Sequence, residues 1–461
     1  MDSKICSLKK HCHIISKLRL AVLTMAVLTV FLLAGCGVAE NPVYLEGLQV
    51  INTIVQECET DVQEGQEGQV ETESEVVTES NGQTEEAVEI VPEEPEEKHI
   101  QLMMVGDNLL HMGVVNTGKQ EDGSYNFDFL FEGIGAFLEE AEIKMINQET
   151  IFGGNELGFS GYPAFNSPTE VGDAIVNAGF NVVLHSSNHA ADKKIAGLKH
   201  CVEYWKQYPE VTMAGIHEED VSPIQILTVE EIDFAILNYT YGPNLETLPS
   251  SIEGHLDMLC NYDENTGAID FTTIHPDVLT DIAEAEEMAD VVIVCPHWGT
   301  EYTTKSSSYQ EKFALQMTEA GADIIIGTHP HVVQPMEWIE ADNGNRALCY
   351  YSLGNYVSTQ KNPLCMLEAM AWIDFFVTED GIVINEEGTG VVPMVCHYNA
   401  DPVRVDGIYL LQDYTAEQAA SHGIKIYGGE TLYLRDLQVW SYQVFGENAL
   451  TVEKVLEESN G

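Results

Sequence analysis

Beyond residue 98, the chain alternates short apolar runs with longer amphipathic stretches, a pattern typical of α/β folds. The apolar runs predict buried strands at residues 100–105, 143–146, 182–184, 291–294 and 324–326. The last three runs are continuous, are bounded by turns and each follow a helical segment, which predicts parallel strands. From residue 224 to 241, and again from 347 to 395, the helical period gives way to strands, with Glu379-Asp380-Gly381 as a predicted hairpin turn.

Three stretches carry helix signals. Residues 127–140 have helical periodicity, and a shorter helix is predicted near residues 416–421. Ser167-Pro168-Thr169-Glu170 supplies an N-cap, a proline at the first helical position and a capping-box glutamate. We therefore expect a helix from this point to Ala178, ended by Gly179.

Polar side chains follow five of the apolar runs, at the point where each strand is predicted to end. They are Gly106-Asp107; Asn147-Gln148-Glu149; Ser187-Asn188-His189 with Asp192; His297-Trp298-Gly299 with Glu301; and His329-Pro330-His331. In an open α/β sheet the carboxyl ends of the strands form one edge, where ligands bind. Carboxylates, amides and imidazoles together suit divalent cations, and the number of donors exceeds what one tetrahedral ion needs. This predicts two ions that share and activate a bridging water.

Each segment alone has an ordinary structural interpretation. Gly-Asp is common in turns, Asn188-His189 fits a loop cap, Trp298 fits a core position, and Pro330 fits a stiffened turn. Five such segments at successive strand ends favour a site instead. Five histidines that stand outside the pattern are interpreted as ordinary polar or packing residues; these are His111, His185, His255, His397 and His422.

The amino terminus has the pattern of an exported protein. Five of the twenty basic residues lie in the first nineteen positions, and the apolar run from Leu20 to Leu33 is too short to span a membrane. Leu33-Ala34-Gly35-Cys36 resembles a bacterial lipobox, which implies lipid attachment to Cys36 and a location on the extracytoplasmic face of the cell membrane. An ordinary signal sequence or a short anchor is the alternative. The seven later cysteines are odd in number and none are spaced CxxC, so they indicate neither a disulfide framework nor a zinc ribbon.

Acidic residues dominate the 461-residue chain, with 75 Asp+Glu against 20 Lys+Arg and a formal net charge of −55. This balance argues against nucleic acid as a partner. Residues 57–97 hold sixteen acidic and no basic residues, which predicts an extended, self-repelling tether. The predicted organisation is a leader and lipobox at 1–36, an acidic disordered linker at 37–97, an α/β domain at 98–400, and an extension at 401–461 that packs on or near the domain.

The ordered motifs resemble those of the CapA family, named for poly-γ-glutamate capsule synthesis. The resemblance spans about residues 99–375. The five polar segments carry it, together with Ala178-Gly179-Phe180, Gly327-Thr328 and Ser352-Leu353-Gly354-Asn355. That family is similar in fold to the calcineurin-like metallophosphoesterases, which implies an α-β-β-α sandwich with helices outside two sheets around a dinuclear site.

The resemblance also implies roles for individual residues. Divalent-metal binding is implied for Asp107, Glu149, Asn188, His189, His297, His329 and His331. Catalytic roles are implied for Glu301, as an acid/base or supporting group, and for Asn188, while Asn355 is a candidate structural or substrate contact. The metal is left open among Mn, Zn, Fe and Mg.

The chain departs from the phosphoesterase pattern at two points and from the CapA pattern at one. Leu109 stands where that pattern has a histidine, Asn147-x-Glu149 replaces its second carboxylate motif, and Ser187 replaces an asparagine of the CapA pattern. We therefore expect a protein of capsule synthesis, export or trimming that meets an anionic capsular polymer and membrane synthase subunits. The alternatives are a metal-dependent phosphoesterase of the envelope and a non-catalytic assembly subunit that holds polymer or contacts synthase partners.

Overall fold

The structure is a computed structural model that describes residues 98–455, except for 220, 379, 380 and 453. Three of the sequence predictions lie outside the described residues: the leader with Cys36, the acidic linker, and the first two residues of the Glu379-Asp380-Gly381 turn. The strands on either side of that turn pair antiparallel, with Thr378 opposite Gly381.

The strands of the described chain are β1 Lys98–Asn108, β2 Ile143–Asn147, β3 Val182–Leu184, β4 Thr212–Ala214, β5 Gln225–Val229, β6 Ile232–Thr240, β7 Cys260–Tyr262, β8 Ile269–Ile274, β9 Val291–His297, β10 Ile324–Ile326, β11 Val333–Glu340, β12 Arg346–Leu353, β13 Asn355–Val357, β14 Leu367–Thr378, β15 Gly381–Ile384, β16 Gly390–Asn399 and β17 Arg404–Leu410. The α-helices are α1 Met112–Gly118, α2 Gly135–Glu140, α3 Glu170–Asn177, α4 Lys194–Trp205, α5 Pro276–Glu286, α6 Ser308–Ala320, α7 Ala416–Ser421, α8 Ile424–Tyr427 and α9 Leu434–Phe445.

These strands form two main sheets. The larger has the order β17-β16-β14-β1-β2-β3-β4, with β13 paired to β1 and β15 to β14. The smaller has the order β11-β12-β10-β9-β6-β5, and a separate ribbon pairs β7 with β8. Strands β1, β2 and β3 run parallel to one another, as do β6, β9, β10 and β12, which confirms the parallel strands predicted from the continuous apolar runs.

Alternate residues of the smaller sheet face two different apolar cores. Phe234 and Ile236 of β6 join the core shared with the larger sheet, whereas Ala235 and Leu237 join a second core. Helices α5 and α6 cover that second core through residues such as Ile282. Helices α2, α3 and α4 pack their buried residues into the core that contains the larger sheet. The predicted α-β-β-α sandwich is therefore confirmed.

The helix predicted over residues 127–140 is wrong in its first part. The chain forms two 3-10 turns, at Asp128–Leu130 and Glu132–Ile134, and only then the short helix α2. A Cβ at Gly133 would lie 1.9 Å from the carbonyl oxygen of Ile408, so this segment runs directly against β17. That tertiary contact, together with the low helix propensity of glycine, prevents one continuous helix.

The helix predicted after Ser167 exists, but its predicted cap is wrong. Helix α3 begins at Glu170 with Thr169 as its N-cap, and no side chain caps it. The hydroxyl of Ser167 instead donates to Oγ1 of Thr150 at 2.8 Å. The side chain of Ser167, which the local sequence predicts as the N-cap, therefore makes a buried tertiary hydrogen bond instead. Gly179, with φ of 91°, follows the helix as expected.

Residues beyond 400 are joined to the sandwich by backbone hydrogen bonds. Strand β17 pairs antiparallel with β16 at the edge of the larger sheet. Helix α7 spans the residues predicted for it, and a capping box formed by Thr415 and Gln418 begins it. The extension therefore completes the larger sheet.

Candidate metal centre

The five polar segments converge at one place, although their strands belong to two sheets. Segments after β1, β2 and β3 come from the larger sheet, and those after β9 and β10 come from the smaller sheet. The expectation that all five lie along the edge of a single sheet is therefore wrong. A parallel bridge between His297 and Thr328 joins the two segments of the smaller sheet.

Asp107 connects the two sheets. It is fully buried, and Oδ1 accepts a hydrogen bond from Nδ2 of Asn147 at 2.7 Å. Its other oxygen, Oδ2, accepts from the backbone N–H of His329 at 3.2 Å and lies 3.2 Å from Nδ1 of His331. These contacts hold the carboxylate of the larger sheet against the histidine loop that follows β10.

Glu149 is fully buried, and neither of its carboxylate oxygens has a hydrogen-bond partner. Three imidazoles surround it: Nε2 of His297 lies 3.9 Å from Oε1, Nδ1 of His331 lies 3.9 Å from Oε2, and Nε2 of His189 lies 4.0 Å from Oε1. Burial raises the pKa of Glu149, the neighbouring Asp107 raises it further, and His331 opposes both. A buried carboxylate without partners costs several kcal/mol unless a cation compensates it.

The loop after β10 holds its two histidines in an uncommon backbone conformation. His329 has φ of 94° and His331 has φ of 59°, a region that residues with a Cβ adopt at a cost. Asn355 fixes the second histidine, since its Oδ1 lies 3.1 Å from Nδ1 of His331 and its Nδ2 donates to the His331 carbonyl. In this structure Asn355 therefore positions the loop.

The histidines differ in protonation. Burial lowers the pKa values of His297 and His329 well below the usual range, and neighbouring imidazoles lower both further. Burial opposes protonation of His331 as well, but Glu149 and Asp107 raise its pKa to about 9. Nδ1 of His329 is buried without a hydrogen-bond partner.

Three overlapping sets of side chains in the described chain have donor atoms within 4.8 Å of one another. They are Glu149, His297 and His329; Glu301, His329 and His331; and Asp107, Glu149 and His331. The buried atoms without partners on Glu149 and His329 belong to these sets. Carboxylate and imidazole donors suit divalent cations, so the residues present fit a metal ion.

The structure gives distinct surroundings to three of the predicted site residues. Oδ1 of Asn188 accepts from Nε2 of His297 at 2.9 Å, which places the amide inside the cluster. His189 belongs to none of the three sets, and its Nδ1 lies 2.8 Å from the Asp192 carboxylate, which leaves Nε2 facing Glu149. Glu301, expected as a supporting or acid/base group, is exposed and joins one set.

Sequence reasoning missed three residues at the centre. Asn244 follows the carboxyl end of β6 and its Oδ1 accepts from Nδ2 of Asn188 at 3.1 Å, so the strand-end rule could have found it. Thr328 places its hydroxyl 3.0 Å from Nδ1 of His297. His111, interpreted as a packing residue, has Nδ1 buried without a partner, and burial followed by the charges of His331 and His189 lowers its pKa to about 4.

Three other histidines outside the pattern, His185, His397 and His422, lie in packed surroundings. Nε2 of His185 accepts from Nε1 of Trp205 at 2.7 Å, and His397 packs against His422 with ring centroids 4.8 Å apart. The six cysteines of the described residues are buried and form no disulfide. No helix within residues 98–455, gaps aside, is long and apolar enough to cross a membrane.

Fold and site together define the class: an α-β-β-α sandwich protein with a candidate divalent-metal centre between the ends of its two sheets. Residues 101–360 match the family described as bacterial capsule synthesis protein PGA_cap, and the chain belongs to that family.

The chain is also similar to two relatives and to one solved structure. The chain is 29% identical over 275 residues to the capsule biosynthesis protein CapA of Bacillus anthracis, and 32% identical over 192 residues to the PGA biosynthesis protein CapA of Bacillus subtilis. These matches cover 58% and 39% of this chain, and 61% and 43% of the relatives' lengths. The calcineurin-like phosphoesterase YfkN from Bacillus subtilis aligns over 79% of this chain and all of its own, with 12% identity and a TM-score of 0.31. The family membership therefore rests on the sequence match.

Proposed function

We propose that this protein is lipid-anchored at Cys36 on the extracytoplasmic face of a bacterial membrane and processes an anionic capsular polymer, poly-γ-glutamate, with two divalent metal ions. The capsule biosynthesis role of the family is the starting point. The observation that carries the metal-dependent part is Glu149, a buried carboxylate without partners amid three imidazoles.

Divalent ions would be held by the seven predicted ligands, and they would supply positive charge and an activated water. Positive charge at this point matters because the chain is strongly acidic and repels a polyanion at long range. The ions would reverse that sign locally, where the polymer has to bind.

The chain's own residues supply orientation and proton transfer. The Asp192 carboxylate accepts the Nδ1 proton of His189, so that Nε2 points its lone pair toward the centre. Asn188 holds His297 in place through its side-chain oxygen. Glu301 is exposed beside the histidine loop and is placed to exchange a proton with solvent and a bound substrate.

The test is the double variant His329→Ala/His331→Ala in the intact protein. We expect loss of most bound metal, measured by elemental analysis, because a site without two of its donors rarely closes. The control is His397→Ala/His422→Ala, which also removes two buried, adjacent histidines but lies outside the three sets. This control should lose thermal stability and keep its metal.

A folded His329→Ala/His331→Ala protein with full metal content would refute the metal centre. Turnover of poly-γ-glutamate and of a generic phosphodiester by the metal-loaded protein then separates polymer processing from phosphoesterase activity. Polymer binding without turnover of either substrate would indicate an assembly subunit.

A further inference from the structure

A second cavity, of about 270 Å³, lies away from the metal centre and shares no lining residue with the three donor sets. Its walls come from the segment after β4, from β6, from the segment that precedes β7 and β7 itself, and from the first two turns of α5 with the residue before them. Neither the family match nor the proposed function involves it.

Asp257 forms an ion pair in this cavity and keeps one oxygen free. Its side chain is 9% exposed, and Oδ1 lies 2.8 Å from Nε2 of His217. Nδ1 of His217 lies 2.7 Å from the carbonyl oxygen of Glu218. Because a carbonyl and a carboxylate both accept, both ring nitrogens donate and His217 is the cation. Oδ2 of Asp257 is buried and has no hydrogen-bond partner.

Two further carboxylates line the cavity. Asp281 accepts a hydrogen bond from the Tyr239 hydroxyl at 3.0 Å, and burial followed by the charges of Asp257 and Asp277 raises the pKa of Asp281 to about 6. Asp277 is exposed. No lysine or arginine is among the lining residues of the described chain. The three carboxylates therefore face a single imidazolium, which leaves the cavity short of positive charge.

The remaining walls are aromatic and aliphatic. The ring of Tyr262 stacks on that of His275, with centroids 5.2 Å apart and planes at 25°. Met258 and Val278 supply apolar surface. These carboxylates do not converge as metal ligands do, since every set of three donors within 4.8 Å in the described chain belongs to the metal centre. A cation with an apolar stem fits better, because it is attracted by carboxylates and aromatic faces and buries its methylene groups.

We propose that this cavity binds a primary alkylammonium group, with the ammonium beside the carboxylates of Asp257, Asp277 and Asp281 and the alkyl stem along Tyr262 and Met258. The group belongs either to a free diamine or to a lysine side chain of another protein. The inference does not depend on the proposed function.

The experiment is calorimetric titration of the full chain in detergent with 1,5-diaminopentane. We expect saturable binding that weakens at least tenfold in both Asp281→Asn and Tyr262→Leu. Asp281 and Tyr262 are only partly buried, so we expect both variants to fold. They therefore test the proposal even if the variant Asp257→Asn, at a buried position, fails to fold. The control Asp342→Asn removes an equal charge from an exposed residue outside the cavity and should bind as the wild type does.

Two further arms identify the ligand. Binding of Nα-acetyl-lysine methylamide as tight as that of the diamine supports a lysine side chain, and binding of the diamine alone supports a free amine. The neutral analogue 1-pentanol should not bind. The proposal is overturned if binding of the diamine does not saturate or if Mg²⁺ displaces the diamine from the cavity. It is also overturned if Asp342→Asn weakens diamine binding as much as the cavity variants do, since binding would then depend on general charge attraction.

Discussion

Glu149 is buried with both carboxylate oxygens unpaired, and the nearest basic groups are imidazoles almost 4 Å away. Of these, His331 is the one whose pKa is raised, by the same carboxylates that surround it. Burial favours the neutral form of Glu149, and a cation bound beside it would favour the ionised form and give its oxygens a partner. The unpartnered oxygens of Glu149 would therefore give the centre its affinity for cations.

Cys36 is the single residue on which the proposed anchor depends. Because acylation at a lipobox requires the cysteine thiol, Cys36→Ser should move the protein from the detergent phase to the aqueous phase in a phase-partition assay. Cys58→Ser is the control, since it removes the next thiol of the chain and leaves the lipobox intact. Unchanged partitioning of Cys36→Ser into detergent would contradict lipid attachment at this position.

At the scale of elements, close backbone contacts hold the strand ends together. The N–H of Asp107 donates to the carbonyl oxygen of Gly354 at 3.0 Å, at the junction of β1 and β13. A Cβ at Gly106 would lie 2.1 Å from that same oxygen. The approach of these two segments is possible only because residue 106 has no side chain, and it sets the position of Asp107.

We therefore expect Gly106→Ala to lower the free energy of unfolding by about 2 kcal/mol or more, since the backbone has to move to admit the methyl group. Gly135→Ala is the matched control, because a Cβ there meets nothing within 4 Å and the residue begins helix α2. This control should stabilise the protein by up to about 1 kcal/mol. Denaturant unfolding monitored by fluorescence measures both changes, and equal stabilities of the two variants would contradict the close-approach argument.

For the whole molecule, the acidic residues are unevenly distributed along the chain. Residues 57–97 contain sixteen of the chain's 75 acidic residues and no basic ones, and this composition predicts an extended tether that does not join a core. By contrast, residues 404–410 lie in a sheet and are hydrogen-bonded to β16. We therefore expect loss of residues 404–410 to affect the stability of the fold more than loss of residues 57–97 does.

Deletion of residues 57–97 should change the melting temperature by less than about 2 °C, because we expect a tether of this composition to make no core contact. Deletion of residues 404–461 is the contrasting control, which exposes the edge of β16 and should lower the melting temperature strongly. Differential scanning calorimetry measures both. A large decrease on removal of 57–97 would mean that this segment packs on the domain.

Much of the fold was predictable because its information is local. The continuous apolar runs of β3, β9 and β10 are confirmed as parallel strands, and helix α7 spans the residues predicted for it. Local signals failed where a distant contact competed with them. Gly133 packs against Ile408, so the first part of the predicted helix became two 3-10 turns, and Ser167 bonds Thr150 instead of capping α3.

The sequence by itself determined the α/β class, the positions of the five buried strands, the family and the segments that carry polar side chains, since apolar periodicity and motif order are properties of neighbouring residues. Only the tertiary structure decided which side chains meet. Asp107 contacts His331 across 224 residues, and Asn188 contacts His297 across 109, each pair joining two different sheets. The pairing of strands into two sheets rather than one depends on how both faces bury their apolar residues, and that balance is a property of the whole folded chain.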